Sequence, residues 1–285
     1  NPLSDSNKTG TNYVCWSWKA GGSNFTYNKD GGGGSSASDI GVSATSLTLT
    51  GATINTRSKF GIYTYTGSGS GGATLNHGLG GIPGLIIYKK RTGSSSWQVY
   101  HRSLGGTQYM NIDEDPPTAA YTSDSTRFGG TNPTSSTISL GTHANGAETV
   151  VLYAWCDVPG LQKFGRYVGN GTTNGPYVEL GFKPALVVMK STVGGTSRNW
   201  ATIDSTRSYA NVGNHTLAWN MHAQESAFGD GASVNGSSNK IDLLSSGFKI
   251  RDSGVFANEA GQVYIYMAWA EAPAFNLFGA QSNAR

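Results

Sequence analysis

Charge is scarce in this chain. Only 13% of its 285 residues are Asp, Glu, Lys or Arg, against about 25% in an average soluble domain. The 20 basic and 17 acidic residues leave a net charge of +3, too weak and too evenly spread to argue for nucleic acid or an anionic membrane as a partner. Long apolar runs are also missing. No stretch approaches the ~18 residues of a membrane helix, so no membrane insertion is expected. No long segment carries a helical period. Cysteine is limited to Cys15 and Cys156, which is no disulfide framework and has no metal-ligand spacing. Both are read as small apolar strand residues, with a disulfide between them as the alternative. The chain starts at Asn1 without a Met or a signal peptide, and is read as a piece of something longer.

What is abundant is glycine, 41 residues, together with Ser, Thr and Asn, while aromatics hold at 11%. Disordered chains are poor in aromatics. The combination fits many short strands joined by tight turns.

Three stretches share one ending. Val14-Cys15-Trp16-Ser17-Trp18 aligns with Val151-Leu152-Tyr153-Ala154-Trp155 and with Ile265-Tyr266-Met267-Ala268-Trp269. Further matches follow. Lys59-Phe60-Gly61-Ile62-Tyr63 aligns with Lys163-Phe164-Gly165-Arg166-Tyr167, Ile82–Lys89 with Lys183–Lys190, and Ser96-Trp97 with Asn199-Trp200. The expected organisation is a closing strand of an upstream repeat (1–20), a Gly/Ser-rich linker with a possible edge strand (21–58), a first β-sandwich repeat (59–158) and a second with a C-terminal tail (159–285). So long a period indicates tandem domains rather than a solenoid. In the last strand Val263, Ile265, Met267 and Trp269 share one face, and Tyr264, Tyr266, Ala268 and Ala270 the other. Both faces are apolar, which predicts a central strand. The fold class expected is all-β: tandem, jelly-roll-like β-sandwiches with Gly/Ser-rich loops, a barrel being the alternative.

The succession NYVCWSWKAGG, FGIYTYTGSGSGGATLNHGLGGIPGLIIYKKR, WQVYHRSLGGTQYMNI, YAWCDVPGLQKFGRYVGNG, GFKPALVVMK and YIYMAWAEAP resembles a repeated module of bacteriophage structural proteins, most familiar in marine cyanobacterial phages. The resemblance implies a non-enzymatic virion component, such as a tail fibre or adhesin that projects from the particle and contacts host surface polysaccharide. It implies partners among other virion proteins and copies of the chain itself, with a trimer expected. The alternatives are a capsid-surface decoration protein without a host ligand and, from another class, a glycan-degrading tail enzyme.

No residue stands out as catalytic, and neither cofactor nor metal is expected. The glutamates are too scattered to pair as a glycosidase dyad. The cluster Asp113-Glu114-Asp115 has oxygen ligands suited to calcium but no EF-hand pattern. His77 and His101 are read as surface or turn residues. Tyr209, His215, Trp219, Asn220 and His222 form a candidate aromatic–polar patch for glycan or partner contact, with core packing as the competing reading. Trp18, Trp155, Trp269, Trp97 and Trp200 recur at repeat positions and are expected to be structural core.

Overall fold

The strand Val263–Ala270 buries Tyr264, Tyr266 and Ala268 on one side and Ile265, Met267 and Trp269 on the other. Such a strand is stable only inside a sheet that is covered on both faces. The computed structural model describes residues 9–10, 12–114, 120, 124–195, 198–208, 210–221 and 241–271, and the chain is all-β.

In chain order the first strands are β1 (Tyr27–Lys29), β2 (Gly32–Gly34), β3 (Ser43–Thr45), β4 (Leu47–Asn55), β5 (Phe60–Gly67), β6 (Ala73–Asn76), β7 (Pro83–Lys90), β8 (Gln98–His101) and β9 (Met110–Asn111). After a single helical turn, α1 (Ser125–Phe128), come β10 (Thr137–Leu140) and β11 (Thr149–Cys156). The second half contains β12 (Gln162–Val168), β13 (Tyr177–Glu179), β14 (Pro184–Ser191), β15 (Ala201–Asp204), β16 (Leu217–Ala218), β17 (Ile241–Leu244), β18 (Gly247–Ile250) and β19 (Val263–Ala270).

These strands form four sheets. The first half has an eight-stranded sheet in the order β2-β1-β4-β5-β11-β7-β8-β9 facing a three-stranded sheet, β10-β6-β3. The second half has a five-stranded sheet, β12-β19-β14-β15-β16, facing β13-β18-β17. One apolar core lies between each large sheet and its small one. Tyr63, Tyr65, Leu75, Tyr88, Ile138 and Leu152 belong to the first, and Tyr167, Met189, Ile203, Phe248, Ile250 and Tyr264 to the second. A third core, containing Phe60, Leu85, Trp155, Phe164, Leu186 and Trp269, lies between the outer faces of the two large sheets. The halves therefore pack back to back.

The closing strand is central in both halves, β11 between β5 and β7, β19 between β12 and β14. Trp155 lies opposite Leu85 and Trp269 opposite Leu186. In each half a bulge follows the Pro that opens β7 or β14: Cys156 pairs with Pro83 and Ala270 with Pro184, leaving Gly84 and Ala185 as the extra residues.

Register corrects the repeat alignment. Tyr65 pairs with Val150 and Tyr167 with Tyr264, so Tyr65, not Tyr63, is the counterpart of Tyr167. Their hydroxyls make the same bond, to the Ala144 and Ala257 carbonyls, at 2.9 and 2.8 Å. The letters Phe-Gly-x-Tyr match with a slip of two residues, which keeps every side chain on its face and so hides the shift. The corrected frame also pairs two fully buried asparagines. The Asn145 side-chain oxygen accepts from the Ser68 N–H and that of Asn258 from the Asn170 N–H.

The N-terminal boundaries differ from expectation too. Residues 21–58 are no linker, because β1, β2 and β4 extend the first large sheet and β3 edges the small one. Residues 12–20 form no strand. They lie against both halves at the third core, to which Trp16, Trp18 and Ala20 contribute. The predicted closing strand therefore joins no ladder, and the segment is held by its side chains instead.

Candidate functional site

Alternation along β11 sends Val150, Leu152 and Ala154 into the first core and leaves Tyr153 and Trp155 facing outward. β19 does the same with Met267 and Trp269. A two-layer sandwich has no means of covering such a face, so the two outer faces cover each other. All seven tryptophans gather there: Trp155, Trp200 and Trp269 are buried, while Trp16, Trp18, Trp97 and Trp219 are half-buried around them. Of the five repeat tryptophans, Trp155, Trp200 and Trp269 are buried and Trp18 and Trp97 half-buried, all in the seam between the halves rather than in either sandwich core. Trp18, Trp155 and Trp269 form a triangle with ring centroids 5.1, 5.9 and 6.3 Å apart, all edge-to-face, the arrangement that the ring quadrupole favours.

The seam closes unequally. On one side β7 lies against β12, and a Cβ on Gly84 would stand 2.9 Å from the Phe164 ring. Only glycine permits that approach. The repeat counterpart, Ala185, carries the Cβ, and on its side residues 15–19 occupy the gap. The segment is fixed by side chains. Trp16 Nε1 donates to Asp204 Oδ2 at 3.3 Å, the Arg207 guanidinium lies 5.9 Å from the Trp16 ring centre, and Trp18 fits between Trp155 and Trp269.

Beside this segment is a cavity of about 820 Å3. Trp16 and Trp18 line it, together with Phe60, Ile62, Trp97, Tyr153 and Trp155 of the first half and Leu217, Ala218, Trp219 and Met221 of the second. Trp97 and Tyr153 lie near-parallel at 6.4 Å, and Tyr153 and Trp155 at 6.2 Å. Among the described residues the one carboxylate on the wall is Asp113, which is exposed and accepts the Trp97 backbone N–H at 2.9 Å. A second cavity of about 450 Å3 lies on the segment's other flank. Aromatic walls with sparse polar groups suit a ligand that has one apolar face and peripheral hydroxyls.

Polar bonds lock the seam. His101 is fully buried; its Nδ1 accepts the Ser103 N–H at 3.2 Å, so Nε2 carries the proton and donates to the Tyr266 carbonyl at 3.1 Å. Burial pushes its pKa down to about 4, and the ring is neutral at pH 7. Trp200 Nε1 donates to the Asn111 carbonyl at 2.9 Å, and Gln162 Nε2 to the Ser58 and Cys156 carbonyls at 2.7 Å each. His77 is also buried rather than superficial, accepting the Leu79 N–H on Nδ1 within its turn. Burial lowers its pKa. Lys190, 1% exposed, is pushed down to about 8, first by burial and then by Arg198.

The predicted patch divides. Trp219 lines the cavity and stacks on Trp200 at 6.4 Å. Asn220 is an internal clamp, accepting the Trp200 N–H and donating to Asn199 Oδ1 and the Glu114 carbonyl. His215 is exposed, apart from the cavity wall, and its backbone N–H donates to Ser208 Oγ. Tyr209 and His222 lie outside the described residues, as does Asp115. Trp16, Ile62 and Tyr153 join the wall although the sequence reading gave them no binding role. The signal for Tyr153 was present in the apolar outer face of its strand. Cys15 and Cys156 are both free, the first exposed and the second buried. Among the described residues no group of three or more His, Cys, Asp or Glu could hold a metal ion, and no helix is long and apolar enough to cross a membrane.

No curated protein and no solved structure matches the chain. A family model described as a domain of unknown function (DUF7483) matches residues 2–273, taking in the N-terminal segment and both halves. The chain belongs to the DUF7483 family.

Proposed function

We propose that this protein is a virion structural component of the tail-fibre or adhesin type, and that it contacts host surface glycan through the tryptophan-walled cavity. The observation that carries this reading is the cavity itself. Its volume of about 820 Å3 falls within the range of small-molecule and oligosaccharide sites. Its walls offer the faces of Trp97, Tyr153, Trp219 and the Trp16–Trp18 segment, with the Asp113 carboxylate to accept a hydroxyl. Sugar rings present C–H faces to indoles and hydroxyls to water, which suits a surface so poor in charge. The finer architecture we read as two jelly-roll-like sandwiches, consecutive in the chain and packed back to back through the tryptophan seam. No catalytic role is assigned.

The test is adsorption of the purified chain to host cells, in competition with polysaccharide from the same envelope. Saturable adsorption that soluble polysaccharide blocks, without release of new reducing ends, supports the reading. Adsorption that polysaccharide leaves unchanged removes the glycan contact. Release of reducing ends that one carboxylate substitution abolishes makes the protein an enzyme.

A further inference from the structure

We infer that the groove holding residues 12–20 is an exchange site between copies of this chain: the segment of one copy seats its Trp16 and Trp18 in the seam of a second. This inference does not depend on what the cavity binds.

The segment behaves as a separate piece at its junction. Gly21 is tied to the first half, its N–H donating to Thr53 Oγ1 at 2.8 Å and its carbonyl accepting from the Gly31 N–H at 2.5 Å. Gly22 next to it has φ +82°, a conformation open to glycine at no steric cost. On the N-terminal side of this junction, residues 12–20 join no sheet. They are placed by two indoles, the Trp16–Asp204 bond and the Asn55 Nδ2 bond to the Lys19 carbonyl at 3.5 Å. The Lys19 contact lies beside the Gly21 anchor and stays with its own chain, but the indoles and the Trp16–Asp204 bond lie three or more residues before it, where a segment arriving from another copy makes the same contacts. Exchange of an identical element is a low-cost route to association.

The groove is also wider than its occupant. Cavities of about 820 and 450 Å3 lie on the two flanks, and Trp16, Ser17, Trp18 and Trp269 line both. The segment leaves Tyr13 49% and Val14 43% exposed, apolar groups that a second copy would cover. The occupant is a second copy because the groove is matched to a Trp-x-Trp segment and this chain carries one. In the exchanged pair, each tryptophan-walled cavity is completed by Trp16 and Trp18 of the other copy. Association would then set how many complete cavities face the ligand.

The test unfolds the full chain and refolds it across a range of concentrations, then measures mass by light scattering after size exclusion. We expect a discrete oligomer whose share rises with refolding concentration and persists after dilution at low temperature. Mixing isotope-labelled and unlabelled chains before refolding should give mixed species in native mass spectrometry, whereas mixing them after refolding should not. Trp18→Ser should abolish the oligomer while the monomer keeps its β circular dichroism. Tyr13→Asp, at a position exposed in the monomer, should leave the monomer intact and lower the oligomer's share at least several-fold. A monomer at every concentration overturns the inference. So does an oligomer that both substitutions leave unchanged, which would place association on another face.

Discussion

Trp155 and Trp269, the same letter of the same repeat, meet edge-to-face with their ring centroids 6.3 Å apart. Each is the outward residue of its half's central strand, and each covers the other. The repeat therefore does more than duplicate a sandwich, because it supplies two apolar outer faces that are complete only together.

Truncating Trp155 to Ala should cost about 3–5 kcal/mol, the usual range for a buried Trp. The loss falls on the seam, not on a sandwich core. Thermal unfolding followed by calorimetry should therefore change from one transition to two, the halves melting separately. A single transition, merely shifted, would place Trp155 in the core of the first half alone.

Gly84 and Ala185 should respond in opposite ways. Gly84→Ala places a Cβ 2.9 Å from the Phe164 ring, and overpacking of this kind costs about 1–3 kcal/mol. Ala185→Gly removes one methyl group from the wider side and costs no more than ~1 kcal/mol. Urea titration of the two variants checks the order. Equal costs would mean that the seam has no tight side.

Acid should loosen the seam through His101. The folded chain holds its ring neutral, with a pKa near 4 against an ordinary 6.5. The unfolded chain therefore takes up the proton first as pH falls. This contribution to stability is complete above pH 6.5 and is lost on the way down to about pH 4. His143, also pushed down to about 4, adds to the same trend. Between pH 7.5 and 4.5 His101 alone should remove roughly 2–3 kcal/mol. His101→Gln, which has no titrating ring, should lose that much less over the same interval in urea unfolding. Identical pH dependence in both proteins would show that His101 is not held neutral.

The buried asparagines should be intolerant of shortening. Asn258 Nδ2 donates to the Asp252 and Thr172 carbonyls at 2.7 Å each, and its oxygen accepts the Asn170 N–H at 2.8 Å. Asn258→Ala strands those groups without water, at a cost of about 2–3 kcal/mol. Asn145→Ala, its counterpart, should cost a similar amount by guanidinium titration. A loss below ~0.5 kcal/mol at both sites would mean that water replaces the carboxamides.

Much of this was legible beforehand. The all-β class, the repeated closing strand and its central place follow from two apolar faces on Val263–Ala270. What such a strand cannot say is which neighbour covers each face, and the seam was therefore read as ordinary core. The letters Phe-Gly-x-Tyr allowed a slip of two residues because strand faces repeat with that period. Glycines 31–34 looked like a linker, yet Gly32–Gly34 pairs with Tyr27–Lys29, a tertiary choice that composition does not carry. Of the predicted patch's described residues, Trp219 reaches the cavity, while His215 and Asn220 do not. The others were neighbours in sequence, while the wall is assembled from strands far apart in the chain.

The most direct test of the central claim is a fluorescence and calorimetric titration of host envelope polysaccharide into the full chain and into Trp97→Ala. Trp97 lines the cavity and is half-buried, so its loss should leave the fold standing. The account predicts saturable binding that quenches or shifts tryptophan emission, and a loss of affinity of at least tenfold in the variant, about 1.4 kcal/mol. Binding of equal strength by both proteins, with the variant's melting temperature intact, would contradict it.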